Sequence, residues 1–141
     1  MFRLGLITSL LGSYWPTLAQ SLESKLSVRK WQRRTVLIYA PDAGHKDLLS
    51  QQQLLTAQQA GIAQRDMDVL VALDSDLSAI DRKYLQSGDR KLPPSARFAT
   101  YLIGKDGGVK QRFSTPVPAT DLFRIIDAMP MRQSEMRGKN E

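Results

Sequence analysis

The 141-residue chain contains no cysteine. Disulfides, thiolate nucleophiles, iron–sulfur clusters and cysteine-ligated zinc are therefore excluded together. The same absence leaves the redox compartment unread, since a chain without cysteine fits either side of a membrane. Histidine is almost absent as well. His45 is the only one, so a metal site there would have to draw on oxygen ligands such as Asp42 and Asp47. Nothing in the ligand spacing calls for a metal or any other cofactor, and none is expected. Aromatic residues make up 7% of the chain. They do not form the repeated series beside basic residues that a single-strand binder stacks bases on. No apolar run approaches the roughly 20 residues of a transmembrane helix.

What is present is ordinary globular composition, 42% hydrophobic and 24% charged, with a net charge of +6 and a pI near 9.8. This length suits one domain with a real core. Basic residues cluster at Arg29, Lys30, Arg33 and Arg34 and again at Arg132, Arg137 and Lys139. A solvated surface accounts for both clusters. The charge permits a weak contact with an anionic membrane surface, while the aromatic pattern argues against nucleic acid.

Met1 to Ala19 has the three parts of an export signal: Arg3, the apolar stretch Leu4 to Leu11, and Thr17-Leu18-Ala19 before a cut at Gln20. The expected layout is a signal peptide over 1–19, a domain over 20–132 and a flexible, fraying tail over 133–141. The mature chain is then exported, to a periplasmic or extracellular place.

The domain is organised around Ala99 to Arg112. An apolar strand, Ala99 to Ile103, meets Asp106-Gly107-Gly108, and a second strand returns from Val109. Gly107 and Gly108 suit positive φ, the chemistry of a hairpin turn. The first strand reads as buried on both faces and the second as an edge. Upstream, Thr35 to Ala40 reads as a strand, and Trp31 is expected to pack at the rim of the sheet. A turn-rich loop, Pro41 to Lys46, leads into one long helix from Asp47 to Ala63, with Leu48, Leu55 and Ile62 on one face. Gln51, Gln52, Gln53, Gln58 and Gln59 are placed on its solvated face. Met67 to Leu73 reads as a second buried strand, which makes a βαβ unit with a right-handed crossover. A short helix carrying Leu77, Ile80 and Tyr84 follows. The last helix starts at Pro118, buries Leu122, Ile125, Ile126 and Met129, and is stopped by Pro130.

This order resembles a thioredoxin-like, peroxiredoxin-related α/β sandwich of three layers, with a βαβ unit and a C-terminal β-hairpin plus helix. Three phrases narrow the resemblance: Arg65-Asp66-Met67-Asp68-Val69, Leu102-Ile103-Gly104-Lys105-Asp106-Gly107-Gly108-Val109-Lys110, and Ile126-Asp127-Ala128-Met129-Pro130-Met131-Arg132 with Glu135-Met136. Together, in a stretch from about Leu22 to Arg137, they resemble the DUF4174 family, a domain of unknown function. The resemblance implies a thioredoxin-like fold and kinship with domains of bacterial exported proteins and of animal matrix and sushi-repeat proteins. It attaches no activity. It also implies where a thiol would stand, in the loop after the first strand, and there the chain has Pro41-Asp42-Ala43-Gly44-His45. The cis proline of thioredoxins is missing too, with Phe98 and Ala99 in that region.

Two functions remain in play. The first is an exported thioredoxin-fold binding or envelope-associated module without thiol redox chemistry, its partner a protein or a small polar ligand. The second is a small enzyme using the Asp42–His45 loop, with His45 as general base and Arg97 or Lys105 stabilising an anion. In both, Asp42, His45 and Lys46 stand where ligands gather in such sheets, with Arg65 or Arg97 supplying charge. Lys105-Asp106-Gly107-Gly108 is a turn, not a phosphate loop, since no helix and no Lys-Ser or Lys-Thr follows it. Arg65-Asp66 reads as a local ion pair.

Overall fold

Seven consecutive residues, Arg34–Ala40, form strand β1, and all seven are buried. A strand can be buried on every residue only inside a sheet covered on both faces. The computed structural model, which describes residues 20–138, has that arrangement. Its elements in chain order are α1 (Leu22–Ser27), β1, α2 (Lys46–Thr56), α3 (Gln59–Gln64), β2 (Met67–Leu73), α4 (Ala79–Gln86), β3 (Ala99–Ile103), β4 (Val109–Phe113), α5 (Ala119–Asp127) and α6 (Pro130–Gly138). A single 3₁₀ turn over Asp74–Asp76 follows β2. Among these residues no helix is long and apolar enough to cross a membrane. The signal segment read over Met1 to Ala19 lies outside the described residues.

The sheet has the order β2-β1-β3-β4. β1 and β2 run parallel with Arg34 opposite Met67 and Ala40 opposite Leu73, so the expected βαβ unit is present. β3 lies antiparallel to β1, and β4 returns antiparallel beside β3 with a register shift at Leu102/Ile103. Alternate residues of β1 divide the core in two. Val36, Ile38 and Ala40 pack with Leu48, Leu55, Leu122, Phe123 and Ile126 on the face covered by α2 and α5. Leu37 and Tyr39 pack with Leu22, Leu85, Tyr101 and Ile103 on the face covered by α1 and α4. This is the three-layer α/β arrangement expected from the sequence.

The structure departs from the sequence reading at seven places. β2 is an edge strand, with Val69 and Val71 39% and 40% exposed; its apolar composition cannot tell a strand with one neighbour from a strand with two. The long helix is two helices. Gln58 leaves helical geometry at φ −126°, ψ 35°, and the bend brings Gly61 onto α5, where a Cβ would stand 2.5 Å from the Phe123 ring. Trp31 is 61% exposed at a left-handed φ of 67°, which turns the ring off the sheet. Ile80 is exposed on α4 as well. In the hairpin only Gly107 takes positive φ, at 84°. Residues 133–138 are helical, not fraying. Pro130 both follows α5 and begins α6, a position where its missing N–H is no loss. The remaining tail residues, 139–141, lie outside the described residues.

The seventh departure holds the two layers of one face together. Gln51 is not on the solvated face but fully buried. Its amide nitrogen donates to the Val117 carbonyl at 2.8 Å. Its amide oxygen accepts from the Thr100 hydroxyl at 3.0 Å and from the Val117 N–H at 2.9 Å. One side chain thus satisfies three buried polar groups, fastening α2 to β3 and to the segment before α5. Replacing it with the near-isosteric leucine strands all three. We expect Gln51→Leu to lower the unfolding free energy by about 3 kcal/mol, measured by denaturant titration, with the fold retained.

Candidate functional site

The carboxyl ends of β1 and β2 open onto the first candidate site. Tyr39, near the end of β1, is buried and donates its hydroxyl to Asp74 at 3.1 Å. Burial, reinforced by that hydrogen bond, raises the phenol above its ordinary value, so Tyr39 acts as a donor at neutral pH. Asp74 also pairs with Arg82 at 3.2 Å. These residues line a cleft of about 380 Å³ with Pro94, Arg97 and the neighbouring loop. The loop is pinned where the Ser75 N–H donates to the Pro41 carbonyl. Arg97 is exposed and makes no hydrogen bond or ion pair to protein among the described residues.

The loop singled out in the sequence borders this cleft. Asp42 accepts from the Gly44 N–H at 2.9 Å, which shapes the turn. His45 stands just before α2, its ring stacked on Phe98 with centroids 6.4 Å apart and planes 10° from parallel. Its Nδ1 is buried without a hydrogen-bond partner. Lys46 is exposed as the first residue of α2. Among the described residues no group of three or more carboxylates and histidines assembles as a metal cage. Asp42, His45, Lys46 and Arg97 therefore share one end of the sheet. Arg65 does not. It precedes β2, at the opposite end of a seven-residue strand, about 20 Å away at the usual rise per residue. Tyr39, Asp74 and Arg82 were missed in the sequence. Asp74 had a signal, because it immediately follows β2, where ligands of such sheets gather.

Arg65 belongs to a second polar site at that opposite end, and Asp66 beside it does not pair with it. Arg34, at the start of β1 with a side chain 1% exposed, is held by Glu135 of α6, both contacts at 3.2 Å. It also donates to the Arg65 carbonyl. Lys105, in the β3–β4 turn, reaches Glu135 at 2.6 Å and Asp66 at 2.9 Å. Arg65 forks onto Asp127 at 3.0 and 2.8 Å while its guanidinium lies over the Phe123 ring. Arg132 touches both Asp127 and Glu135. The three phrases of the sequence resemblance thus converge on one network. Burial alone would raise the Glu135 carboxyl, but hydrogen bonds and charge from Arg34 and Lys105 overrule it and hold the group at about 2. Asp127 is lowered by its hydrogen bond from Arg65, against a smaller opposing effect of burial.

Comparison with known proteins fits this geometry. The family model described as "Domain of unknown function (DUF4174)" matches residues 25–135, which span β1 through Glu135. Among curated proteins the chain is similar to coiled-coil domain-containing protein 80 of Danio rerio, 28% identical across 83% of this chain. The match takes in only 16% of that much longer protein. Among solved structures it is similar to the reduced 2-Cys peroxiredoxin of Plasmodium vivax, with a TM-score of 0.55 and 15% identity, covering 77% of this chain and 84% of that one. At that identity the likeness establishes the thioredoxin-like fold alone.

The network makes stability acid-sensitive in a stated direction. Glu135 and Asp127 are held below their ordinary values in the folded chain. Their stabilisation is complete above the unfolded carboxylate range and drains away as pH falls through the folded values. Unfolding free energy should therefore drop between about pH 4.5 and about pH 2. Glu135→Gln leaves the Arg34 charge buried without its partner. It should lower stability at pH 7 by about 3 kcal/mol and flatten the acid slope, both read from denaturant titrations across pH.

Proposed function

The chain belongs to the DUF4174 family, and from that footing we propose that it is an exported thioredoxin-fold binding module that takes a small polar anion and carries out no redox chemistry. The observation that carries the reading is the cleft at the carboxyl ends of β1 and β2. It presents two arginines, Arg82 and Arg97, against one carboxylate, Asp74, which Arg82 already engages. Arg97 is left to answer a ligand, while the Tyr39 hydroxyl, donated to Asp74, lines the cleft nearby. Guanidinium groups suit carboxylates because two parallel N–H donors match two oxygens.

The absence of a thiol supports the non-redox part. Disulfide exchange and peroxide reduction on this fold begin with a thiolate, and the loop after β1 offers Asp42-Ala43-Gly44-His45 in its place. His45, its ring parallel to that of Phe98, stands just before α2 beside the cleft. Export rests on the pattern of Met1 to Ala19.

Titration calorimetry with succinate tests the binding reading. Saturable binding that Arg97→Gln weakens by about tenfold, with the unfolding midpoint unchanged, is the expected outcome. Equal binding by the variant would place the ligand elsewhere and overturn the assignment. For export, the natively expressed protein should be recovered outside the cytoplasm with a mature N-terminus at Gln20 by intact mass. A full-length cytoplasmic chain would contradict it.

A further inference from the structure

We propose that a second cavity, between the β3–β4 turn and the start of α6, binds a small monocarboxylic acid with an apolar body. This cavity has a volume of about 290 Å³ and is lined by Arg34, Lys105, Lys110, Met129, Pro130 and Met131, with Gly104 and Asp106 at the turn. It lies at the opposite end of the sheet from the Arg97 cleft and does not depend on that reading.

Charge is the first argument. Arg34, Arg65, Lys105 and Arg132 form one connected network with Asp66, Asp127 and Glu135. Four cations meet three carboxylates, so one positive charge is left over in a place where Arg34 is almost completely buried. The deficit shows in the hydrogen bonding as well. Arg34 Nε is buried with no partner, although a buried donor is nearly always satisfied. The start of α6 faces the same cavity, and the first N–H groups of a helix lack intrahelical acceptors and favour negative charge.

The lining narrows the ligand. Lys105 is already drawn between Asp66 and Glu135, and Lys110 lies on Asp106 at 2.7 Å. Those carboxylates would repel a dianion such as phosphate more strongly than a single carboxylate. Opposite the charged side, Met129, Pro130 and Met131 supply an apolar wall. Methionines adapt to an irregular apolar partner, and Met131 is 40% exposed. The volume is just below the range of roughly 300–1,000 Å³ usual for ligand pockets, which suits a short-chain or single-ring acid. Gly104 leaves room for the lysine: a Cβ there would stand 2.5 Å from Lys110 Cε and would push that stem aside.

The test is an amide-resolved NMR titration of the full chain at low salt with hexanoate, hexanol and inorganic phosphate. Hexanoate should shift the amides of Gly104, Gly107 and Met131 saturably, with hexanol and phosphate at least about tenfold weaker. Lys110→Gln should weaken hexanoate by about tenfold without moving the unfolding midpoint. Met131→Glu, at an exposed side chain, should abolish binding and serves if the lysine variant does not fold. Hexanoate leaving those amides unmoved, hexanol binding as well as hexanoate, or shifts confined to Ser95, Ala96 and Arg97 would each overturn the proposal. So would full hexanoate affinity in either variant that folds.

Discussion

A charged side chain at the first residue of the central strand constrains the rest of the molecule. Arg34 is 1% exposed, and an arginine cannot shed its charge to suit burial. It must be answered, and the answer comes from Glu135, 101 residues further along the chain. That requirement docks α6 against the end of the sheet. Once Glu135 is there, Lys105 and Arg132 converge on it, and each of those cations pairs with a second carboxylate, Asp66 or Asp127. The hairpin turn, the lead into β2 and the C-terminal helix are fastened at one point, where a helix of nine residues would have little stability alone.

The sheet therefore has two chemically different ends. At the carboxyl ends of β1 and β2 the chain has the open place where a thioredoxin-like fold puts its chemistry. The residues there are an Asx turn, a histidine stacked on Phe98 and a cleft with Arg97. At the other end it has a dense ionic network beside an apolar-walled cavity. The charged residues of the three phrases that carry the sequence resemblance gather at the second end. The loop after β1 carries no thiol, and the dense polar chemistry stands at the other end of the sheet.

Much of this was legible in the sequence wherever composition and period decide the outcome. Thr35 to Ala40, Ala99 to Ile103 and the Leu122–Ile126 stripe are largely apolar because layers cover both sides of the sheet, and that pattern is local. Edge status is not local, which is why β2 read as buried. Gln51 looked like one of five solvent-facing glutamines, because helical period does not show that Thr100 and Val117 carry polar groups needing a partner. The charge network was the least legible part. Arg65 and Asp66 are neighbours in sequence, yet a φ of 51° at Asp66 accompanies their turning to different partners, Asp127 and Lys105. Ion pairs spanning 30 to 101 residues leave no periodic trace.

The central claim is that the Arg34–Glu135 contact makes α6 part of the folded unit, and native-state hydrogen exchange tests it most directly. The account predicts that the amides of Ser134 to Arg137 exchange at least about a hundredfold more slowly than in an unstructured peptide, and that Glu135→Gln removes this protection while β1 keeps its own. Exchange of those amides at unstructured rates in the unsubstituted chain, beside a protected β1, would contradict it.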